Sequence, residues 1–252
     1  MNKPARKNNL KVLMLALSAC FLSACFTFSS SSEEEEANIS MDGPIVSTAF
    51  DVDPFTRVKI GGAFEVELVQ GSEASCEIDA PQELLDKLKV VVEDGVLHIR
   101  SEKKFNFQSR EGIKVKIVAK EFESFEIGGA ASVNSNGTLS GNEMDFDIKG
   151  AGAVDLEVEV SDLEVEISGA SQMTLAGSAD DASIEINGAG NLEAYTLEVE
   201  NLDLSLAGAG SARVYASEKL DVKLSGVGSV KYKGKPSEVN KKVSGLGSIS
   251  EG

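Results

Sequence analysis

The chain has 252 residues, of which 42% are hydrophobic, and this is enough for one or two globular domains. Its 41 Asp and Glu against 24 Lys and Arg give a net charge of −17, which excludes binding to nucleic acid or to anionic lipid headgroups through the protein surface. One histidine and three cysteines argue against a Cys/His metal cluster and against a nucleophilic triad.

Residues 1–24 have the pattern of a secretory signal. Basic residues between Lys3 and Lys11 precede the apolar segment "VLMLALSACFLSA", which is too short to cross a membrane. The phrase "LSAC" ends at Cys20 and again at Cys25, and it resembles the lipobox of bacterial lipoproteins. We predict that Cys25 is the lipidated first residue, since Cys20, the alternative, leaves a shorter apolar region. An ordinary cleaved signal is the remaining reading.

Residues 25–49 are predicted to be a disordered tether between this lipid and the folded part. The segment "FTFSSSSEEEEANIS" is rich in Ser and Glu, which bury little apolar surface. The alternative is an export signal for surface display, in which acidic residues follow the lipidated cysteine. Here the Glu run begins only at Glu33, well after Cys25.

Residues 50–120 are predicted to form a less regular β module. The segment "DAPQELLDKL" predicts a short helix with Pro81 near its first turn. The segment "LKVVVEDGVLHIR" predicts two strands joined at Asp94 and Gly95. The module is either an elaborated start of the repeat that follows or a small separate domain.

Two residues of this module have side chains that could react. His98 alternates with Leu97 and Ile99, which predicts a place on the opposite face of a strand and no role as a catalytic base. Cys76 lies in the strand-like segment "ASCEID" and is predicted to be a small buried hydrophobe.

Residues 121–252 contain a repeat with a period of about twenty. The pattern is an apolar residue, any residue, then Gly and small residues, as in "FDIKGAGAV", "IEINGAGNL" and "VKLSGVGSV", with an early copy at Gly61. Between these phrases apolar and polar residues alternate, which is typical of strands. The predicted fold is all-β, a parallel β-solenoid with one rung per repeat and one short helix before it. The predicted corner glycines are Gly128, Gly150, Gly169, Gly188, Gly208, Gly226 and Gly245.

A nucleotide-binding loop is the rival interpretation of these glycines, and the sequence excludes it. A GxGxxG loop needs a third glycine and a following helix. Neither "GAGNLE" nor "GAGSAR" has the third glycine, and no helical periodicity follows.

The repeat region is strongly acidic up to Asp203 and basic after it. Between Glu143 and Asp203 sixteen Asp and Glu accompany a single base, Lys149. We predict a solvated acidic face, with weak Ca²⁺ binding as the alternative and no other cofactor. The candidate calcium ligands are Glu157, Glu159, Glu164, Glu166 and Glu185.

The last repeats carry seven lysines, which are predicted to guard an exposed end of the solenoid. The alternatives are head-to-tail attraction between the basic end and the acidic body, or contact with anionic envelope polymers. The lysines are Lys219, Lys223, Lys231, Lys233, Lys235, Lys241 and Lys242.

The order of these phrases resembles a known family. "FTRVKIGGAFEVELVQGS", "PQELLDKLKVVVEDGVLHI" and "KVKIVAKEFESFEIGGAASV", followed by Gly-Ala-Gly repeats, are similar to the putative auto-transporter adhesin head domain, the GIN domain family. The resemblance covers about residues 50 to 249. It implies a right-handed β-helix-like fold and a place in the bacterial envelope or outside the cell.

These observations predict a non-catalytic lipoprotein anchored in the outer membrane, on its surface or its periplasmic face, with an adhesin-like or scaffold β-solenoid. Its partners are predicted to be the membrane, reached through the lipid, and a protein or envelope polymer, with no nucleic acid. One alternative is a polysaccharide-active β-helix enzyme, although no pair of carboxylates stands out as catalytic. The other is a periplasmic structural lipoprotein of envelope assembly.

Overall fold

The computed structural model describes residues 43–101 and 113–252, and these form one nearly all-β sheet with a single short helix. The predicted signal, the tether up to residue 42 and the lipidation candidates Cys20 and Cys25 lie outside the described residues. The elements are β1 (Ile45–Phe50), β2 (Arg57–Gln70), β3 (Ser75–Pro81), α1 (Gln82–Leu85), β4 (Leu88–Glu93), β5 (Val96–Ser101), β6 (Ile113–Ala119), β7 (Ser124–Ser140), β8 (Glu143–Tyr215), β9 (Lys219–Lys233) and β10 (Glu238–Glu251).

The first part of the sheet is antiparallel. Strand β3 pairs with β1 on one side and with β6 on the other, and β4 and β5 form a hairpin. The hairpin turns at Asp94 (φ 51°) and Gly95 (φ 74°), two left-handed residues that match the right-handed twist of the flanking strands. Helix α1 directly follows Pro81 and buries Leu84 and Leu85. The sequence prediction of a short helix and of this hairpin is confirmed.

Strand β2 joins the antiparallel part to the repeat. Its residues Arg57 to Leu68 pair in parallel with β7, so that Gly62 lies opposite Gly129. Its other edge pairs with β5 at the start and with β6 at the end. Residues 50–120 therefore share a continuous sheet with the repeat, while the domain boundary at residue 120 stays a prediction.

From β7 onwards the chain returns beside itself in parallel, and the pairing keeps its register apart from one shift between Asn134 and Thr138 of β7. Ser124 pairs with Asp145, and Asn201 pairs with Lys219. The last pair of strands follows the same rule, since Glu238 lies opposite Lys219. In each case the paired positions are one repeat length apart, which reproduces the period in the sequence. The sheet is open, with β1 and β10 at the two ends of its strand order.

The core is made of the apolar residues that alternate with polar ones along each strand. Equivalent positions of successive repeats stack on each other, as Phe125 does on Phe146, with ring centroids 6.1 Å apart. Both rings are 1% exposed, and burial of a phenylalanine stabilises a fold by about 1.5–3 kcal/mol. No polar or charged residue of the described part is buried as a whole. The charged and small residues therefore occupy the outward positions, which alternate with the core positions along each strand.

Candidate binding surface

Eight glycines with left-handed backbone stack in one line across the sheet, and we call this line the glycine column. Each β-carbon added from Gly129 onwards would collide with the carbonyl oxygen of the preceding glycine, and φ at Gly129 is +131°. The backbones of successive repeats therefore touch here, and only glycine fits. The column consists of Gly62, Gly129, Gly150, Gly169, Gly188, Gly208, Gly226 and Gly245.

Six of the seven glycines that the sequence singles out belong to this column. The seventh, Gly128, lies one residue before it, opposite Lys149, and a β-carbon there would come no closer than 4.0 Å to the Ile60 carbonyl oxygen. The early glycine of the sequence pattern, Gly61, pairs with Gly128, and its neighbour Gly62 occupies the column. "IGGA" offers two adjacent glycines, and the register selects the second.

The five candidate calcium ligands are all exposed on outward positions, and the structure divides them. The register that stacks Gly169 on Gly150, and Gly188 on Gly169, also places Glu166 between Asp147 and Glu185. Glu164 follows Asp145 in the same way. Glu157 and Glu159 lie further along the strand, beyond the glycine column.

Two of these carboxylates already have protein partners. Glu157 accepts a hydrogen bond of 2.9 Å from the Thr138 hydroxyl, and Glu185 accepts one of 2.7 Å from the Asn187 amide. In the part of the chain that the structure describes, no three Asp, Glu, His or Cys side chains come together as a metal site requires. A solvated acidic face stays the prediction for these residues, with weak Ca²⁺ binding as the alternative.

Asp145 lies among other negatively charged side chains. Burial raises the pKa of this carboxyl, and the charges of Glu164 and Asp147 raise it further. Asp147 has one oxygen in contact with the Lys149 ammonium, while its Oδ1 is buried without a hydrogen-bond partner. This end of the acidic face therefore costs the fold energy that its single lysine only partly offsets.

A shallow groove of about 460 Å³ crosses the strand starts of the acidic repeats. At its far end Lys219 Nζ lies 2.7 Å from Asp221 Oδ2, and hydrogen bonds from Lys219 and Asn240 hold the pKa of Asp221 below its usual range. The groove is therefore acidic along most of its length and neutralised at one end. Its charged lining residues are Glu143, Asp162, Glu164, Asp181, Asp203, Lys219 and Asp221.

Two lysines of the basic end lie over tyrosine rings. Lys233 Nζ is 4.1 Å from the ring centroid of Tyr195, and Lys241 Nζ is 4.4 Å from that of Tyr232. Lys241 also donates a 3.0 Å hydrogen bond to the Tyr232 hydroxyl. Sequence reasoning missed these pairs, although adding two repeat lengths to Tyr195 leads close to Lys233. Another lysine, Lys223, lies 3.5 Å from Asp203 in the preceding repeat.

The two remaining reactive residues occupy structural positions. Cys76 is fully buried in β3, and burial raises the pKa of its thiol to about 12. His98 is half-buried on β5, opposite Lys59 and Val91, while its neighbours Leu97 and Ile99 are buried. Neither geometry resembles that of an activated nucleophile or base.

Comparison with known families decides what kind of chain this is. The model of the family described as "Putative auto-transporter adhesin, head GIN domain" matches residues 54–236. The chain belongs to this family. The match begins just before β2 of the GIN domain and extends through the turn after β9. No curated protein matches the chain in sequence.

Solved structures of similar proteins have the fold of this GIN domain. A putative adhesin from Bacteroides fragilis NCTC 9343 is 25% identical with a TM-score of 0.80, over 85% of this chain and 100% of that one. A putative adhesin from Parabacteroides merdae ATCC 43184 is 22% identical, with a TM-score of 0.66 over 85% and 99%. A putative lipid binding protein from Parabacteroides distasonis ATCC 8503 is 19% identical, with a TM-score of 0.66 over 86% and 100%.

The family gives the GIN domain an adhesin-like character and a bacterial envelope or cell-surface setting, and it indicates no catalytic function. Among the described residues no helix is both long enough and apolar enough to cross a membrane.

Proposed function

We propose that this chain is a non-catalytic, lipid-anchored protein of the bacterial outer membrane whose GIN domain binds a protein or an envelope polymer in the manner of an adhesin. The observation that carries the proposal is the in-register parallel stacking of one repeat on the next. It places the outward side chains of successive repeats beside one another in columns across the sheet. Such columns suit an extended partner better than a small substrate.

The proposed architecture is a right-handed parallel β-helix in which each repeat forms one rung. Parallel strands that follow each other in sequence require a crossover, and crossovers of this kind are right-handed in about 98% of cases. Between β9 and β10 only the short segment from Gly234 to Ser237 lies outside the strands, which is too short for a helical crossover of the βαβ kind. A rung that winds directly onto the next one accounts for both the short connection and the parallel direction.

A binding role fits the outward residues better than an enzymatic one. The titratable groups with shifted pKa values are explained by burial, by like charges of neighbouring repeats or by single ion pairs, as for Asp145 and Asp221. A polysaccharide hydrolase needs two carboxylates that differ in role and face a common cleft. The charged residues of the groove beside Glu164 and Asp181 are all carboxylates apart from Lys219, which is paired with Asp221 at one end.

Anchoring is proposed to depend on Cys25, with residues 25–49 as the tether. In cells given a radioactive fatty acid, Cys25→Ser is expected to abolish labelling of the protein. The matched control Cys20→Ser is expected to keep it. Labelling that is lost with Cys20→Ser and kept with Cys25→Ser would move the anchor to Cys20. Absence of labelling from the parent chain, which keeps both cysteines, would contradict the lipoprotein proposal.

The location outside the cell that the adhesin proposal requires is tested by protease treatment of intact cells that carry the epitope-tagged native chain. We expect the tag to disappear from intact cells, because an adhesin must be outside. A periplasmic protein of known location is the matched control and must survive until the cells are lysed. Survival of the tagged chain until lysis would contradict the adhesin proposal and favour a structural lipoprotein of the periplasm.

A further inference from the structure

The large hydrophobic residues that the described chain exposes are confined to the first strand and the last two strands of the strand order. Ile45 and Val46 lie on β1, while Leu246 on β10 is 80% exposed. The others are Val227 on β9 and Val239 and Val243 on β10. Leu246 and Val227 lie opposite each other on the last two strands, and adjacent exposed apolar side chains are typical of a surface that another molecule covers.

The core is open at β10. Val243 lies opposite Leu224 of β9, yet Leu224 is 1% exposed and Val243 is 44% exposed. One edge of β10 pairs with β9 from Glu238 to Glu251, and no described strand pairs with its other edge. An open edge of this length is a template for a further strand.

We propose that β10 pairs antiparallel with β10 of a second copy, which gives an end-to-end dimer with two-fold symmetry. A two-fold interface brings the same surface of both copies together, and a strand that meets its own copy across such an axis must run antiparallel. The proposal concerns self-association and is independent of the ligand proposed above.

The sequence of β10 is self-complementary in one antiparallel register. With Leu246 opposite the Leu246 of the second copy, Lys241 of each copy lies opposite Glu251 of the other. The same register places Val243 opposite Ile249, so that the two open ends of the core meet. Opposite charges and apolar pairs facing each other across strands both stabilise a sheet. The complementary charges are what favour a second copy over an unrelated partner.

Lys241 is also the residue that could oppose this pairing. Its position corresponds to Val222 of β9, which is 1% exposed, so a lysine stands where the repeat otherwise has a core residue. Inward-pointing charge on an edge strand is a known device against pairing. In the proposed dimer the ammonium keeps its place above Tyr232 and gains the carboxylate of Glu251 of the second copy. Reversing the charge of Lys241 distinguishes a lysine that stabilises the dimer from one that prevents pairing.

The first test is a disulfide at the two-fold axis. In the full chain with Cys20→Ser and Cys25→Ser, the variant Leu246→Cys is expected to form a disulfide-linked dimer on mild oxidation. Directly opposed Cα atoms in an antiparallel pair are about 4.5–5.5 Å apart, which a disulfide spans. The matched control is Val227→Cys, which occupies the same position one strand further in. Absence of the Leu246→Cys dimer, or equal cross-linking of both variants, would overturn the proposal.

The second test is reciprocal charge reversal measured by sedimentation velocity. Lys241→Glu and Glu251→Lys are each expected to weaken the dimer about tenfold, because like charges then face each other. The double variant is expected to restore the original affinity, which a loss of the contact between Lys241 and Tyr232 alone could not do. A Lys241→Glu variant that dimerises more tightly would identify Lys241 as a guard and overturn the proposal, as would a monomeric parent chain. Neither outcome would affect the cell-surface test.

Discussion

A β-carbon added at Gly129 would collide with the carbonyl oxygen of Gly62. The same relationship recurs between each later glycine of the glycine column and the one before it. The repeated phrase in the sequence therefore reflects a backbone contact between successive repeats.

Substitution of Gly129 by alanine is expected to destabilise the fold by about 2–4 kcal/mol, from backbone strain at φ +131° and from overpacking. The matched control is Gly128→Ala, where the nearest atom lies 4.0 Å away and no strained φ is present. The control is expected to be neutral or slightly stabilising. Urea denaturation of both variants measures the difference. Equal losses would show that the column is not a tight contact.

Asp145→Asn is expected to stabilise the chain by about 0.5 kcal/mol at neutral pH and low salt, because it removes a charge beside Glu164 and Asp147. Asp155→Asn is the matched control, since Asp155 lies opposite the neutral Asn134. In 1 M salt the screening length is about 3 Å, so the part of the stability gain that comes from removing charge repulsion is expected to shrink. The part that comes from no longer burying a charged group at Asp145 is expected to remain. An equal increase in stability in Asp155→Asn would show that the effect comes from the net charge of the protein and not from the neighbours of Asp145.

The stability gained by Asp145→Asn is also expected to depend on pH. The pKa of Asp145 is raised in the folded state, so the fold holds this proton more tightly than the unfolded chain does. Its contribution to stability therefore falls as the pH rises through the folded pKa. The difference between parent and variant is expected to vanish at about pH 3, where the carboxyl is protonated in both states. A difference that grows on acidification would contradict this sign.

The Cys76 thiol is expected to be unreactive in the folded protein. It is fully buried, and its pKa of about 12 leaves almost no thiolate at about pH 8. In the chain with Cys20→Ser and Cys25→Ser, a thiol reagent is expected to react with no cysteine of the folded protein. After guanidinium chloride unfolds the protein, the reagent is expected to react with one thiol per chain, that of Cys76. Rapid labelling under native conditions would show that β3 opens readily.

Calcium is expected to leave the melting temperature unchanged beyond the effect of equal ionic strength. Glu166 and Glu185 are neighbours, but Glu157 and Glu159 lie elsewhere on the strands and cannot join them around one ion. Scanning calorimetry in millimolar Ca²⁺, against NaCl of matched ionic strength, measures this. A rise specific to Ca²⁺ that Glu166→Gln abolishes would support the calcium alternative.

The local features of the fold were predictable from the sequence, since short-range chemistry determines them. Asp94 and Gly95 predict the hairpin, and Pro81 predicts the start of the helix. The repeat period follows from the glycines, but "IGGA" cannot tell which of Gly128 and Gly129 carries the left-handed backbone. That choice depends on the register against Gly62, which lies on the distant strand β2.

Contacts between repeats were predictable only where the period leads directly to them. One repeat length connects Arg213 with Glu193, whose charged atoms are 2.7 Å apart. The antiparallel order of β1, β3 and β6 depends on pairings with no period and carries no comparable signal. The raised pKa of Asp145 depends on its depth in the structure, which alternation alone does not give.

The glycine column has a consequence for how the length of this domain can change. Successive repeats add one strand spacing of about 4.8 Å each, and every added repeat presents the same contact to the next. Duplication or deletion of a whole repeat, such as the one that leads from Gly169 to Gly188, would lengthen or shorten the molecule by one such step without shifting the surviving columns. A change of a few residues would instead move every later glycine out of line. The domain can therefore change its length by whole repeats while the outward side chains of the remaining repeats stay aligned with each other.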